Sequence, residues 1–177
     1  MKKQMSMLVA MLIVTAFTYL ACKKEVSGTG IPESQNATVA GNPASAESNY
    51  ELEVVLRGEN GSKGHIHFGQ DRDAAKIISL DTRVNNLQPN HNYLLQRAVD
   101  PMNAVDGNCT STTWLTLGYG LTPHMITTDD HGDATDVIWR DVTAIPSGAR
   151  FDIHFRVIDA VNMQQVLYSD CYQYTVR

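Results

Sequence analysis

One stretch restricts what this chain can fold into more than any other: Tyr50 to Phe68, YELEVVLRGENGSKGHIHF. Gly58-Glu59-Asn60-Gly61-Ser62 reads as the turn of a β-hairpin, with glycines where a tight reversal needs positive φ. With Leu56 opposite Gly64, Val54 faces Ile66 and Leu52 faces Phe68, so one face is apolar or glycine throughout. Val55 then faces His65 and Glu53 faces His67 on the other face. Sliding one strand by a single residue would carry Glu53 into the core, so the pattern itself specifies the register.

The remainder of the chain continues in strands. Ile77 to Val84 alternates, with Ile78, Leu80, Thr82 and Val84 on one side and Ser79, Asp81 and Arg83 on the other. Tyr93 to Val99, Trp114 to Leu117, Ala134 to Val142, Phe151 to Ile158 and Val166 to Val176 read as further strands. Between them lie turn signals: Asp71-Arg72-Asp73, Asn85 to Asn92, the long Asp100 to Asn108 loop, Thr127 to Asp133, and Ile145-Pro146-Ser147-Gly148. No long segment has a 3.6-residue apolar period. Short strands with turns at this spacing predict an all-β domain over 49–177, an antiparallel Greek-key β-sandwich or barrel such as the immunoglobulin-like folds.

The N-terminal part has a different texture. Lys2 and Lys3 precede an apolar run from Met5 to Ala21, which ends in Tyr19-Leu20-Ala21-Cys22. The run is short for a spanning helix and has the flanks of a signal peptide. Residues 1–21 are therefore expected to be a signal, and the Ala21-Cys22 ending resembles that of bacterial lipoproteins. That resemblance implies cleavage before Cys22 and lipidation of it, although Tyr19 stands where an aliphatic residue is preferred. Residues 22–48, rich in Ser, Gly, Ala, Asn, Thr and Pro, hold too few large apolar groups to offset their own ordering entropy and read as a flexible linker. The expected location is the bacterial cell envelope, with a lipid anchor in the outer membrane and the domain periplasmic or surface-facing. The net charge of −5 becomes more negative when Lys2 and Lys3 are removed, so attachment would come from lipid and not from a basic patch. With no basic block, nucleic acid is not an expected partner; an envelope protein or a glycan is. Beyond Cys22 the chain has two cysteines, Cys109 and Cys171, an even pair that in an exported protein suggests one disulfide.

The order of elements resembles the copper/zinc superoxide dismutases. VVLRGENGSKGHIHFGQ, then IISLDTRVNNLQPNHNYLLQRAVD, then DGNCTS, is similar to that family's opening hairpin, following strands and first half-cystine. TTDDHGDATDVIWRDVTAIPSG resembles its later turn, strand and loop, and Cys171 matches the second half-cystine. The resemblance implies a Cys109–Cys171 disulfide. It does not extend to the metal ligands. Leu94 and Gln96 stand where the family places a copper-binding His-x-His pair, and TSTTWLTLGYGLTP after Cys109 lacks the histidines of the zinc loop. Phe155, not His154, takes the position of the last copper ligand. No cofactor and no catalytic residue is expected on this basis.

The alternative is a copper- or zinc-binding protein, or a dismutase-like enzyme, that uses His65 and His67. Their rings project from one strand face, and imidazole suits both metals. Further ligands would have to come from His91, His124, His131, His154 or a carboxylate. The plainer expectation is a solvated strand on which Glu53 pairs with His67 across the hairpin. Asp129, Asp130 and Asp133 crowd one turn but lack the loop and distal Glu of a dedicated calcium site. In Phe151 to Ile158, the residues Asp152, His154 and Arg156 share one face. They suggest either an oriented acid–base set or, more simply, a solvent-facing charge ladder.

Overall fold

A computed structural model describes residues 49–177; the expected signal, Cys22 and linker lie outside the described residues. The described chain forms twelve strands and no helix: β1 (Tyr50–Gly58), β2 (Lys63–Gln70), β3 (Ile77–Asn85), β4 (Asn92–Val99), β5 (Leu115–Thr116), β6 (Gly118–Tyr119), β7 (Thr122–Pro123), β8 (Met125–Thr127), β9 (Ala134–Asp141), β10 (Arg150–Asp159), β11 (Gln165–Ser169) and β12 (Tyr172–Thr175). The strand order is β5-β4-β10-β11-β1-β2-β3-β9-β6-β7, with β12 beside β10 and β8 beside β4. Strand β8 also packs near β9, which brings the two ends of the path together and curls the sheet into a nearly closed barrel. Every pairing is antiparallel except a single bridge between Tyr119 and Trp139. The fold is all-β, as the alternation predicts, and its architecture is compatible with a β-sandwich.

The opening hairpin has the register that its sequence dictates: Leu56 pairs with Gly64, Val54 with Ile66, Leu52 with Phe68, Val55 with His65 and Glu53 with His67. Ile66 and Phe68 are fully buried. Exposing both by a one-residue slip would cost about 3–6 kcal/mol, at roughly 1.5–3 kcal/mol for each large apolar side chain. The turn differs in one detail. Asn60 and Gly61 take the positive φ angles, 53° and 82°, whereas Gly58 is required by crowding. A Cβ there would stand 2.4 Å from the Val166 carbonyl oxygen and 2.7 Å from a Leu167 methyl, a clash with the neighbouring strand β11.

The expected closing strand from Val166 to Val176 is divided. Strands β11 and β12 lie along successive parts of the same flank of β10, β11 opposite Arg156–Ile158 and β12 opposite Arg150–Ile153. The break between them holds Cys171, which is bonded to Cys109 with a Cα–Cα separation of 5.4 Å.

Strand β10 corrects a further expectation. Asp152, His154 and Arg156 do share a face opposite Phe155 and Val157, but that face is not a solvated charge ladder. The segment 100–114 covers it. Asp152 is 0% exposed, and its Oδ2 accepts the backbone N–H groups of Asp106 and Gly107 at 2.8 and 2.9 Å. Nε2 of His154 lies 3.0 Å from the Ser111 carbonyl oxygen, and Trp114 stacks on the imidazole. Nε–H of Arg156 donates to Gln96 Oε1 at 2.8 Å, and its guanidinium lies over the Trp114 ring. Asp100 holds the same segment from beneath by accepting the N–H groups of Thr110 and Ser111. The three residues are thus committed to structure, so the acid–base set is not assembled either.

Candidate functional site

Inward-facing residues leave an open space at one end of the barrel, a cavity of about 70 Å³. Fully buried Phe68, Leu80 and Phe155 line it on one side, and the partly buried Val99, Ile145 and Phe151 line it on another. Its surface is overwhelmingly apolar. Three lining residues carry polar groups: Tyr174, whose hydroxyl is bonded to Gln70, and Arg97 on β4 and Arg140 on β9.

Strand parity puts both arginines there. Arg97 pairs with core residue Phe155 in β10, and its i±2 neighbours are Leu95 and Val99. Arg140 pairs with Ile78 in β3 and follows buried Ile138 by two residues. Each occupies a position where the alternation calls for an apolar side chain. Among the described residues neither guanidinium forms an ion pair. The one hydrogen bond of Arg140, from Nη1 to the Gly120 carbonyl oxygen, is long at 3.4 Å. The adjacent Asp141 carboxylate is taken by the backbone N–H and hydroxyl of Thr143, both at 2.7 Å.

Burial, and then the nearby charge of Arg140, lower the pKa of Arg97 from its ordinary value. An arginine nevertheless keeps its proton in a protein, so the cavity carries two fixed positive charges of like sign. Both residues are half-buried, and taking away part of a cation's solvation without supplying a partner is costly. A pair of such groups beside apolar walls is an arrangement that a bound anion would relieve.

The six histidines are dispersed. Glu53 takes both His65 and His67: its Oε2 lies 2.6 Å from His65 Nε2 and its Oε1 2.6 Å from His67 Nδ1. Both imidazoles are close to half exposed, on the outer face of the sheet. The hydrogen bond to Glu53 raises the pKa of His67. His91 pairs with Asp159 at 2.9 Å, His124 with Asp136 at 2.9 Å and His131 with Asp130 at 2.7 Å. His124 also stacks on Tyr119, and His154 lies under Trp114. The expected pairing of Glu53 with His67 is therefore present and extends to His65, whereas His91, His124 and His131 each lie on a separate acid and His154 on the Ser111 carbonyl.

Among the described residues one group, Asp129, Asp130 and His131, places three ligand atoms within 4.8 Å of one another, all of them exposed. Oδ1 of Asp129 already accepts the N–H groups of His131 and Asp133, which makes it a turn-forming residue. Leu94 and Gln96, at the positions where the dismutase resemblance requires histidines, lie on the face of β4 away from the cavity. The Gln96 amide is bonded to Thr116 and Arg156.

The sequence matches no protein-family model and no curated protein. Arg97 and Arg140 are the site residues that the motif search passes over, because it looks for histidines and carboxylates. A usable signal was present. Leu95-Gln96-Arg97-Ala98-Val99 and Ile138-Trp139-Arg140-Asp141-Val142 each place an arginine in the apolar phase of a strand.

Proposed function

We propose that this is a lipid-anchored cell-envelope protein whose β-sandwich domain is a non-catalytic binding module, with its ligand held in the barrel cavity between Arg97 and Arg140. The observation that carries this reading is the open apolar cavity containing two guanidiniums without carboxylate partners. Binding sites are typically concave and mostly apolar, with a few polar groups that fix orientation. The Cys22 sequence context and the linker supply the anchor. The dismutase-like order of elements belongs to the same proposal, as a related fold without the copper and zinc cage.

The described residues 49–177 contain the core and the disulfide, so a segment that spans them, 43–177, is the one to test. A thermal-shift screen of small organic molecules should yield ligands whose stabilising effect disappears in Val99→Phe, which fills the cavity. Hits that persist in Val99→Phe, or a screen without hits, would contradict cavity binding. For the anchor, Cys22→Ala in the full chain should abolish lipidation and leave an uncleaved precursor or a soluble product. Intact mass showing a free Cys22 thiol in membrane-derived protein would contradict it.

A further inference from the structure

We infer that the cavity takes a small amphipathic anion, with an acidic head, carboxylate or phosphate, between the Arg97 and Arg140 guanidiniums and a compact apolar tail against Leu80, Val99 and Phe155. The inference rests on the cavity being a binding site and adds the chemical class of its ligand. Three observations select that class.

The first is charge. Arg97 and Arg140 enter the same space from β4 and β9, and among the described residues no carboxylate is paired with either. A neutral ligand would leave Arg97 uncompensated and Arg140 with only the field of the neighbouring Asp141 carboxylate, which is already bonded to Thr143, and a cation would add a third positive charge. Guanidinium forks match carboxylate and phosphate oxygens geometrically, which makes arginine well suited to hold such a head.

The second is the wall. Leu80 and Phe155 are fully buried and Val99 partly so. None of the three offers a donor or acceptor from its side chain, so a polar sugar or a nucleoside would lose its hydrogen bonds to water without replacement. The rest of the ligand is therefore apolar.

The third is size. A volume of about 70 Å³ exceeds the roughly 10–15 Å³ that one water needs on this measure. It is less than half of the roughly 150 Å³ that holds a benzene ring, so it admits only part of a short chain, with the head at the open mouth, and neither a ring nor a long acyl chain.

The test uses residues 43–177 and four probes: hexanoate, hexyl phosphate, 1-hexanol and inorganic phosphate, with binding read by calorimetry and thermal shift. Hexanoate or hexyl phosphate should bind at least tenfold more tightly than 1-hexanol and than inorganic phosphate. Which of the two binds better identifies the head as carboxylate or phosphate. Arg97→Met should weaken the better probe at least tenfold while leaving the melting temperature of the free protein unchanged or higher, since the variant removes one of two like charges. Arg140→Met should behave in the same way and serves if the first variant does not fold.

Equal binding of 1-hexanol and hexanoate, insensitive to both variants, would overturn the anionic head while leaving a cavity ligand in place. Inorganic phosphate binding as tightly as hexyl phosphate would overturn the apolar tail. Failure of all four probes, together with a library screen whose hits are lost in Val99→Phe, would overturn the amphipathic anion alone. Failure of both would overturn the binding-module reading with it.

Discussion

Trp114 lies flat over His154, with ring centroids 4.6 Å apart and planes inclined by 29°. The same indole carries the Arg156 guanidinium 4.0 Å from its ring centre. This one side chain covers both His154 and Arg156 on the outer face of β10. Trp114→Ala should therefore destabilise the domain by about 2 kcal/mol, below the range for a fully buried Trp because the ring is only partly covered. Urea unfolding gives the value; a change below about 0.5 kcal/mol, the level of an ordinary surface substitution, would mean that the stack contributes nothing.

The carboxylate beneath that segment sets an acid limit. Backbone N–H groups of Thr110 and Ser111 hold the Asp100 carboxyl below its ordinary value of 3.8, with Thr110 contributing most. A carboxyl with a lowered folded pKa contributes stability above the unfolded value, and that contribution is lost as pH falls through the folded one. Asp100→Asn should flatten the dependence of stability on pH below about pH 4. The direct check is an NMR titration of the Asp100 carboxyl carbon, expected to show a midpoint below 3.8; a midpoint at or above 3.8 would contradict the hydrogen-bonded anchoring.

The disulfide secures the other end of the same cover. Cys109 and Cys171 are 62 residues apart, and closing a loop of that length stabilises by about 4 kcal/mol in the chain-entropy model. The double variant Cys109→Ala/Cys171→Ala should lose close to that amount in denaturant unfolding, without gross change in far-ultraviolet circular dichroism, because the strand ladders do not depend on the bond. A loss of β signal at low denaturant would show that the bond is needed to form the barrel.

How much of this was legible in the sequence depended on what each residue contacts. The β1–β2 register could be read directly because one residue of slip exchanges Glu53 with Val54 and would turn Ile66 and Phe68 outward. The buried face of β10 could not be read in that way. Asp152 and Asp100 bind main-chain N–H groups, which every sequence carries, so nothing in the segment 100–111 marks its partners. Trp114, which covers the face of β10, reads in the sequence as part of a strand that in the structure begins only at Leu115. Arg97 and Arg140 stood in the apolar phase of recognisable strands. That phase places them in the interior, but the absence of an acid opposite them is a three-dimensional fact.

Metal chemistry yields a negative expectation. After reconstitution with copper and zinc, the domain should not turn over superoxide. Leu94 has no donor atom, the Gln96 amide is engaged by Thr116 and Arg156, and the histidines are dispersed, His65 and His67 on Glu53, His91, His124 and His131 on three other acids and His154 on a backbone carbonyl. A dismutase assay on the metal-loaded domain decides the point. Turnover that is lost in His65→Ala/His67→Ala would identify the outer face as a metal centre and displace the binding-module reading.

The central claim is that ligand binds in the barrel cavity beside Arg97 and Arg140. The most direct measurement is a two-dimensional NMR titration of residues 43–177 with hexanoate, following methyl groups and arginine Nε–H signals. Binding in the cavity predicts saturable shifts concentrated at Ile78, Leu80, Val99, Leu117 and Ile145 and at the side chains of Arg97 and Arg140, with Val55 and Val137 on the outer sheet face unmoved. Shifts centred on Val55, His65, His67 and Val137, with Arg97 and Arg140 unchanged, would contradict it.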